Sequence, residues 1–129
     1  MIDELHKFIF EGLPVRGVLV RLGPSWRESL RRREVQGAYP APVRALLGEM
    51  AAAGALMQAN IKFDGALILQ AFGDGPVKLA VVETQPELTY RATAKVVGPV
   101  ADDARLEAML NVHGPVSYTH LTLPTSDLV

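Results

Sequence analysis

Residues 60–97 read NIKFDGALILQAFGDGPVKLAVVETQPELTYRATAKVV, and this stretch decides the fold. Ile61 and Phe63 alternate with Asn60 and Lys62, the two-residue period of a strand. Asp64-Gly65 supplies the pair of positive-φ residues that a two-residue hairpin turn demands. Ala66–Phe72 is expected as a second strand, Gly73-Asp-Gly-Pro76 as a turn, and Val77–Glu83 as a third strand. Thr84-Gln-Pro-Glu87 turns again into a fourth strand, Leu88–Val97. Short connections between successive strands make this an antiparallel meander.

Immediately upstream the period becomes helical. Val43, Leu46, Leu47, Met50, Gly54 and Met57 form one stripe, and Pro42 suits a first turn, where its missing N–H has no partner to lose. A helix over 42–58 follows. Ala51 to Met57 contains no polar residue, so that end is expected to be buried on most sides, with Gly48, Ala52 and Gly54 admitting a close neighbour. Residues 3–11 suit a short helix or a strand. Val15–Leu22 reads as a strand with Gly17 as a candidate bulge, broken by Gly23-Pro24. Ser25 and Glu28 have capping-box spacing, which predicts a short helix ending before Gly37, with Trp26 and Leu30 on one face. A further helix is expected within 100–110, capped by Asp102 or Asp103, with Leu106, Met109 and Leu110 inward. The fold class is therefore α+β, a meander over about 60–97 packed against a long helix over about 42–58 with shorter flanking helices.

Composition narrows the function. Thirteen Lys and Arg against fourteen Asp and Glu leave a net charge of -1, without the basic footprint of a dedicated nucleic-acid binder. There is no cysteine, which removes disulfides, thiolate metal sites and cysteine nucleophiles from this chain. Two acids precede the first Lys, the wrong order for a secretory signal, and Met50–Ile61 is too short to span a membrane. A soluble, cytoplasmic protein is expected.

Candidate chemistry is sparse. The Gly73-Asp-Gly-Pro76 turn leads into a strand, whereas a phosphate loop feeds a helix. His6, His113 and His120 lack metal-ligand spacing, and no serine sits in a nucleophile elbow. Asp64 and Asp74 are explained by turn geometry. Arg27 and Arg31–Arg33 form one basic cluster, diluted by Glu28 and Glu34, and Glu28 is spaced to pair with Arg31 and Arg32. A solvated helix face is the ordinary reading, and a small nucleic-acid-binding module using these arginines is the alternative. No catalytic residue and no metal site is expected.

The order of the segments carries a resemblance. Val15-Arg-Gly17, Tyr39-Pro-Ala-Pro-Val-Arg-Ala-Leu-Leu47, Lys62-Phe-Asp-Gly65, Gln70-Ala-Phe-Gly-Asp-Gly-Pro76 and Leu79-Ala-Val-Val82 occur in sequence. This series resembles the N-terminal domain of the redox-regulated thirty-three-kilodalton heat-shock chaperonin family (HslO). The resemblance implies an ATP-independent holdase that binds unfolded polypeptides under oxidative or heat stress, in the cytoplasm, commonly as a homodimer. It implies zinc held by four C-terminal cysteines, none of which this chain contains, so no cofactor is expected here. It also implies that residues 1–111 are a partial N-terminal chaperone domain, and 112–129 are expected to be a divergent tail of non-native sequence. A sheet lacking the family's later strands is expected to leave an apolar face or edge for clients or for self-association. The residues assigned to that surface are Ile61, Phe63, Leu67, Leu69, Phe72, Val77, Leu79 and Val81.

Overall fold

The computed structural model describes residues 2–60 and 64–110 and the strand path of 118–122. Strands β1 (Glu4–Ile9) and β2 (Arg16–Arg21) form a separate antiparallel hairpin, in which Phe8 faces Gly17. The segment 3–11 is thus a strand. Gly17 is in regular register and makes no bulge: the Phe8 ring lies across it, and a β-carbon there would collide with that ring. Only glycine leaves room for an aromatic ring folded over its cross-strand neighbour.

Helix α1 (Pro24–Glu34) follows, and its start differs from the expected capping box. Gly23 is the N-cap residue and no side chain of its own caps the helix. Instead the Asp3 carboxylate accepts the N–H of Gly23 at 2.6 Å and that of Ser25 at 3.4 Å, reaching in from just before β1. The Ser25 hydroxyl is 2.8 Å from the Tyr90 hydroxyl, and Glu28 turns to the arginines. A tertiary carboxylate has displaced the local cap because it offers a charge-assisted bond to the same orphan donors.

Helix α2 (Ala41–Asn60) is the long helix, with Pro42 in its first turn. It runs slightly past its expected end, since nothing from Ala51 to Ala59 breaks a helix and the Asn60 amide donates back to the Leu56 carbonyl at 2.9 Å. Asn60 is therefore helical and does not open a strand. Ile61 to Phe63, the rest of that expected strand, lie outside the described residues. Val43, Leu47, Ala51, Ala55 and Gln58 form the buried face, at three- and four-residue spacing. Met57 is open on the other side, so this end is covered on one face only.

The meander comprises β3 (Leu67–Phe72), β4 (Val77–Thr84) and β5 (Tyr90–Val96). After the short helix α3 (Leu106–Leu110), strand β6 (Tyr118–Thr122) joins the other side of β3, giving the sheet order β5-β4-β3-β6. Strand pairing sets Ala71 opposite Ala80 and Ala80 opposite Ala94, so a lane of small residues lies under α2. Gly54 brings the helix down onto Thr84, where an added β-carbon would stand 2.9 Å from the threonine methyl. Gly48 likewise admits Trp26 of α1. One buried polar pair lies in this interface: the Thr84 hydroxyl donates to the Gln58 carbonyl oxygen at 3.0 Å.

Asp102 and Asp103 occupy a turn and do not cap a helix, because α3 begins only at Leu106. Leu106 is 42% exposed, whereas Met109 and Leu110 enter the core beside Val77 and Ala71. A helix of five residues shows one face for barely a turn, so two inward residues are all it can place. The Leu110 carbonyl accepts the Gly75 N–H at 2.8 Å, which docks α3 on the glycine turn between β3 and β4.

Candidate functional site

Two apolar surfaces and one cleft stand out. The first surface is the β1–β2 hairpin. Phe8 and Phe10 stack edge to face, 5.8 Å between centroids, and Val15 and Leu19 fall on the same side by strand period. Phe8, Ile9, Phe10, Leu13, Val15 and Leu19 are all exposed, Ile9 at 79%. None of these residues is among those assigned from the meander. The signal was present: Phe8-Ile9-Phe10 puts consecutive large apolar groups on both faces of a strand, and a strand buried on one face cannot hide them all.

The second surface is the sheet face turned away from α2. Leu67, Leu69 and Val77, expected on a client surface, are 1%, 6% and 0% exposed. They point toward α2, so they belong to the core and cannot touch a partner in this folded state. Phe72, Leu79 and Val81 point the other way, half-buried, with Phe72 opposite Leu79 across the β3–β4 ladder. Ile61 and Phe63 lie outside the described residues. Alternation made the two sets of residues visible, but only the position of α2 says which set is covered.

The cleft, about 780 Å³, lies between α1, the hairpin and β5. Ser25, Arg33, Tyr39 and Tyr90 are on its walls. Burial pushes the Tyr90 phenol up, against the opposing effect of its bond to Ser25. Bonds from the Ser25 side chain and the Gly23 N–H hold the Asp3 carboxyl below its ordinary range. The arginine cluster is largely engaged. Arg31 donates twice and Arg32 once to Glu28, at 2.6 to 3.0 Å, and these bonds bring the Glu28 carboxyl down to about 2. The same pairing raises Arg31. Arg33 stacks over the Tyr39 ring, 4.3 Å from its centroid, and donates to Gln36. Arg27 is exposed.

Among the described residues no three His, Asp or Glu converge as metal ligands. His6, open to solvent, stands 3.2 Å from the half-buried Glu4. The zinc implied by the resemblance would need thiolates, and with no cysteine the residues present do not fit it. No described helix is long and apolar enough to cross a membrane.

Residues 3–126 match the pattern of the family described as Hsp33 protein. The chain belongs to that family. It is 52% identical to the 33 kDa chaperonin of Chromobacterium violaceum over 112 residues, which is 87% of this chain and 36% of that protein. Identity to the 33 kDa chaperonin of Serratia proteamaculans is 41%, over 84% of this chain and 36% of that one. The Photobacterium profundum chaperonin is 38% identical over 94% of this chain and 38% of its own length. This Hsp33 family chain therefore spans little more than a third of the curated relatives it matches. The family match reaches past Leu110 and takes in β6.

Proposed function

We propose that this Hsp33 family chain acts as an ATP-independent holdase, binding unfolded polypeptides and slowing their aggregation during heat or oxidative stress. The observation that carries the proposal is the β1–β2 hairpin, which holds Phe8, Phe10, Val15 and Leu19 on one open face. Exposed contiguous apolar surface is costly in water and is relieved by contact with apolar segments of other chains. The outer strip of Phe72, Leu79 and Val81 would extend this contact. The relatives' name, 33 kDa chaperonin, supports the same reading. Lacking cysteine, the chain holds no thiol switch among its own side chains. The same surfaces would support self-association, and a cytoplasmic setting suits this activity.

The test is light scattering from a heat-labile enzyme, without ATP, at several molar ratios. Wild type is expected to suppress aggregation, and the double variant Phe8→Thr/Phe10→Thr to suppress it several-fold less. Threonine keeps strand propensity, so the double variant should unfold within about 1 kcal/mol of wild type. Failure of wild type to suppress aggregation at any ratio would reject the proposal.

A further inference from the structure

We propose that the cleft between α1 and β5 binds a short extended segment of polypeptide as an added strand on β5, with an acidic side chain of that segment against Arg33. This deepens the chaperone reading and rests on it, since it takes the segment from an unfolded chain.

Three observations lead there. First, β5 is the terminal strand of the sheet among the described residues. The Ala94 N–H donates to the Tyr39 hydroxyl at 3.1 Å, so it points away from β4. Residues two apart on an antiparallel strand share that direction, which sends the Ala92 N–H and C=O outward, and Ala92 lines the cleft. Second, α1 and the start of α2 are tied to this edge at two separated points. Ser25 meets Tyr90, and Tyr39 meets Thr93 and Ala94. From Tyr90 to Ala94 is about 13 Å at strand rise, room for roughly three residues of extended chain between the ties. Third, of the three described arginines lining the cleft, Arg32, Arg33 and Arg91, one lacks a carboxylate. Asp3 serves backbone N–H groups, Glu4 meets His6, Glu28 holds Arg32, and Arg91 meets Glu83. Arg33 faces no carboxylate among the described residues; its Nε is buried without an acceptor. A cation in a partly dry cleft, beside a strand edge offering a donor and an acceptor, suits an acidic residue in an extended chain.

The test uses the 129-residue chain and fluorescein-labelled heptapeptides of alternating Thr and Val, followed by fluorescence anisotropy. One peptide carries a central Glu, a second a central Lys, and a third the Glu with its three central nitrogens methylated. The Glu peptide should bind about tenfold tighter than the Lys peptide, and the methylated one about tenfold weaker than its parent. Arg33→Gln should bring the Glu and Lys peptides within about twofold, while Arg33→Lys should keep the Glu preference. Ala92→Pro removes the outward N–H without touching the β4 ladder, and should weaken both unmethylated peptides. Equal binding of the Glu and Lys peptides, or indifference to methylation, overturns the proposal. If the chain still suppresses aggregation in that case, the chaperone reading stands and only the cleft is lost. Selective peptide binding by a chain that suppresses no aggregation would instead overturn the chaperone reading on which the proposal rests.

Discussion

Gly73 offers the sharpest test of how this chain is held together. Gly73 to Pro76 has the composition of an ordinary hairpin turn, and in such a turn alanine at Gly73 would cost little. The structure sets a different cost. A β-carbon on Gly73 would collide with the Leu110 carbonyl oxygen, the acceptor that docks α3 through the Gly75 N–H. Gly73→Ala must push α3 away. The docking bond contributes about 1 kcal/mol. Met109 and Leu110 are both buried in the core, and full burial of such side chains stabilises by about 1.5–3 kcal/mol each. Losing the bond and a third to half of that burial gives about 2–4 kcal/mol, a large share of a typical domain's net stability. Gly98→Ala is the control, because its β-carbon would meet only Pro76, at an ordinary 3.5 Å. Urea unfolding followed by circular dichroism, at two protein concentrations, reads both variants. At a slope of about 2 kcal/mol per molar, Gly73→Ala should lower the midpoint by about 1–2 M. Gly98→Ala should stay within about 0.5 kcal/mol of wild type. Equal midpoints for the two variants would show that α3 does not pack on the turn as described.

Two further substitutions probe contacts made across the chain. Asp3→Ala removes the acceptor for the first N–H groups of α1 and should cost about 1 kcal/mol, with Asp3→Asn recovering part of it. Because the folded state holds Asp3 below its ordinary 3.8, its contribution is complete above that pH and is lost as acid passes through the lowered value. The gap in melting temperature between wild type and Asp3→Ala should therefore persist at neutral pH and close only in strong acid; a constant gap would argue against the contact. Thr84→Val leaves the buried Gln58 oxygen without its donor and should cost about 1–3 kcal/mol by chemical unfolding, despite its similar shape. A neutral result would mean that Gln58 has found another partner.

What the sequence made legible follows from range. The stripe Val43-Leu47-Met50-Gly54 and the alternation from Leu67 to Val96 are local patterns, and they placed α2 and the three meander strands within a few residues. The Glu28–Arg31–Arg32 cluster was also readable, because it lies within one helical turn. The misread features depend on distant contacts. Ser25 and Glu28 spell a capping box, but Asp3 reaches α1 from before β1 and frees both for other partners. Asp102-Asp103 resembles a helix start, yet the helix waits until Leu106, where Met109 and Leu110 can reach Val77. Leu67, Leu69 and Val77 look as suitable for a surface as Phe72, Leu79 and Val81. Nothing in a strand's own alternation says which side a helix will cover.

The covered side bears on where a client of the proposed kind could sit. Helix α2 occupies one face of the meander, which leaves the reverse face graded along the strand order. On β3 and β4 it presents Ile68, Phe72, Leu79 and Val81 beside the polar Gln70 and Glu83; on β5 it presents Arg91, Thr93 and Lys95, with Arg91 bonded to Glu83 at 3.1 Å. Apolar contact is therefore concentrated on β3 and β4, while the open backbone edge and the unmatched Arg33 lie at β5. These are different kinds of adhesion: one buries apolar area and tolerates any sequence with enough of it, the other demands an extended backbone and a charge. High salt would strengthen the first and weaken the second. A client held by both should release its acidic segments in concentrated salt, with its apolar segments held more firmly there than in dilute buffer.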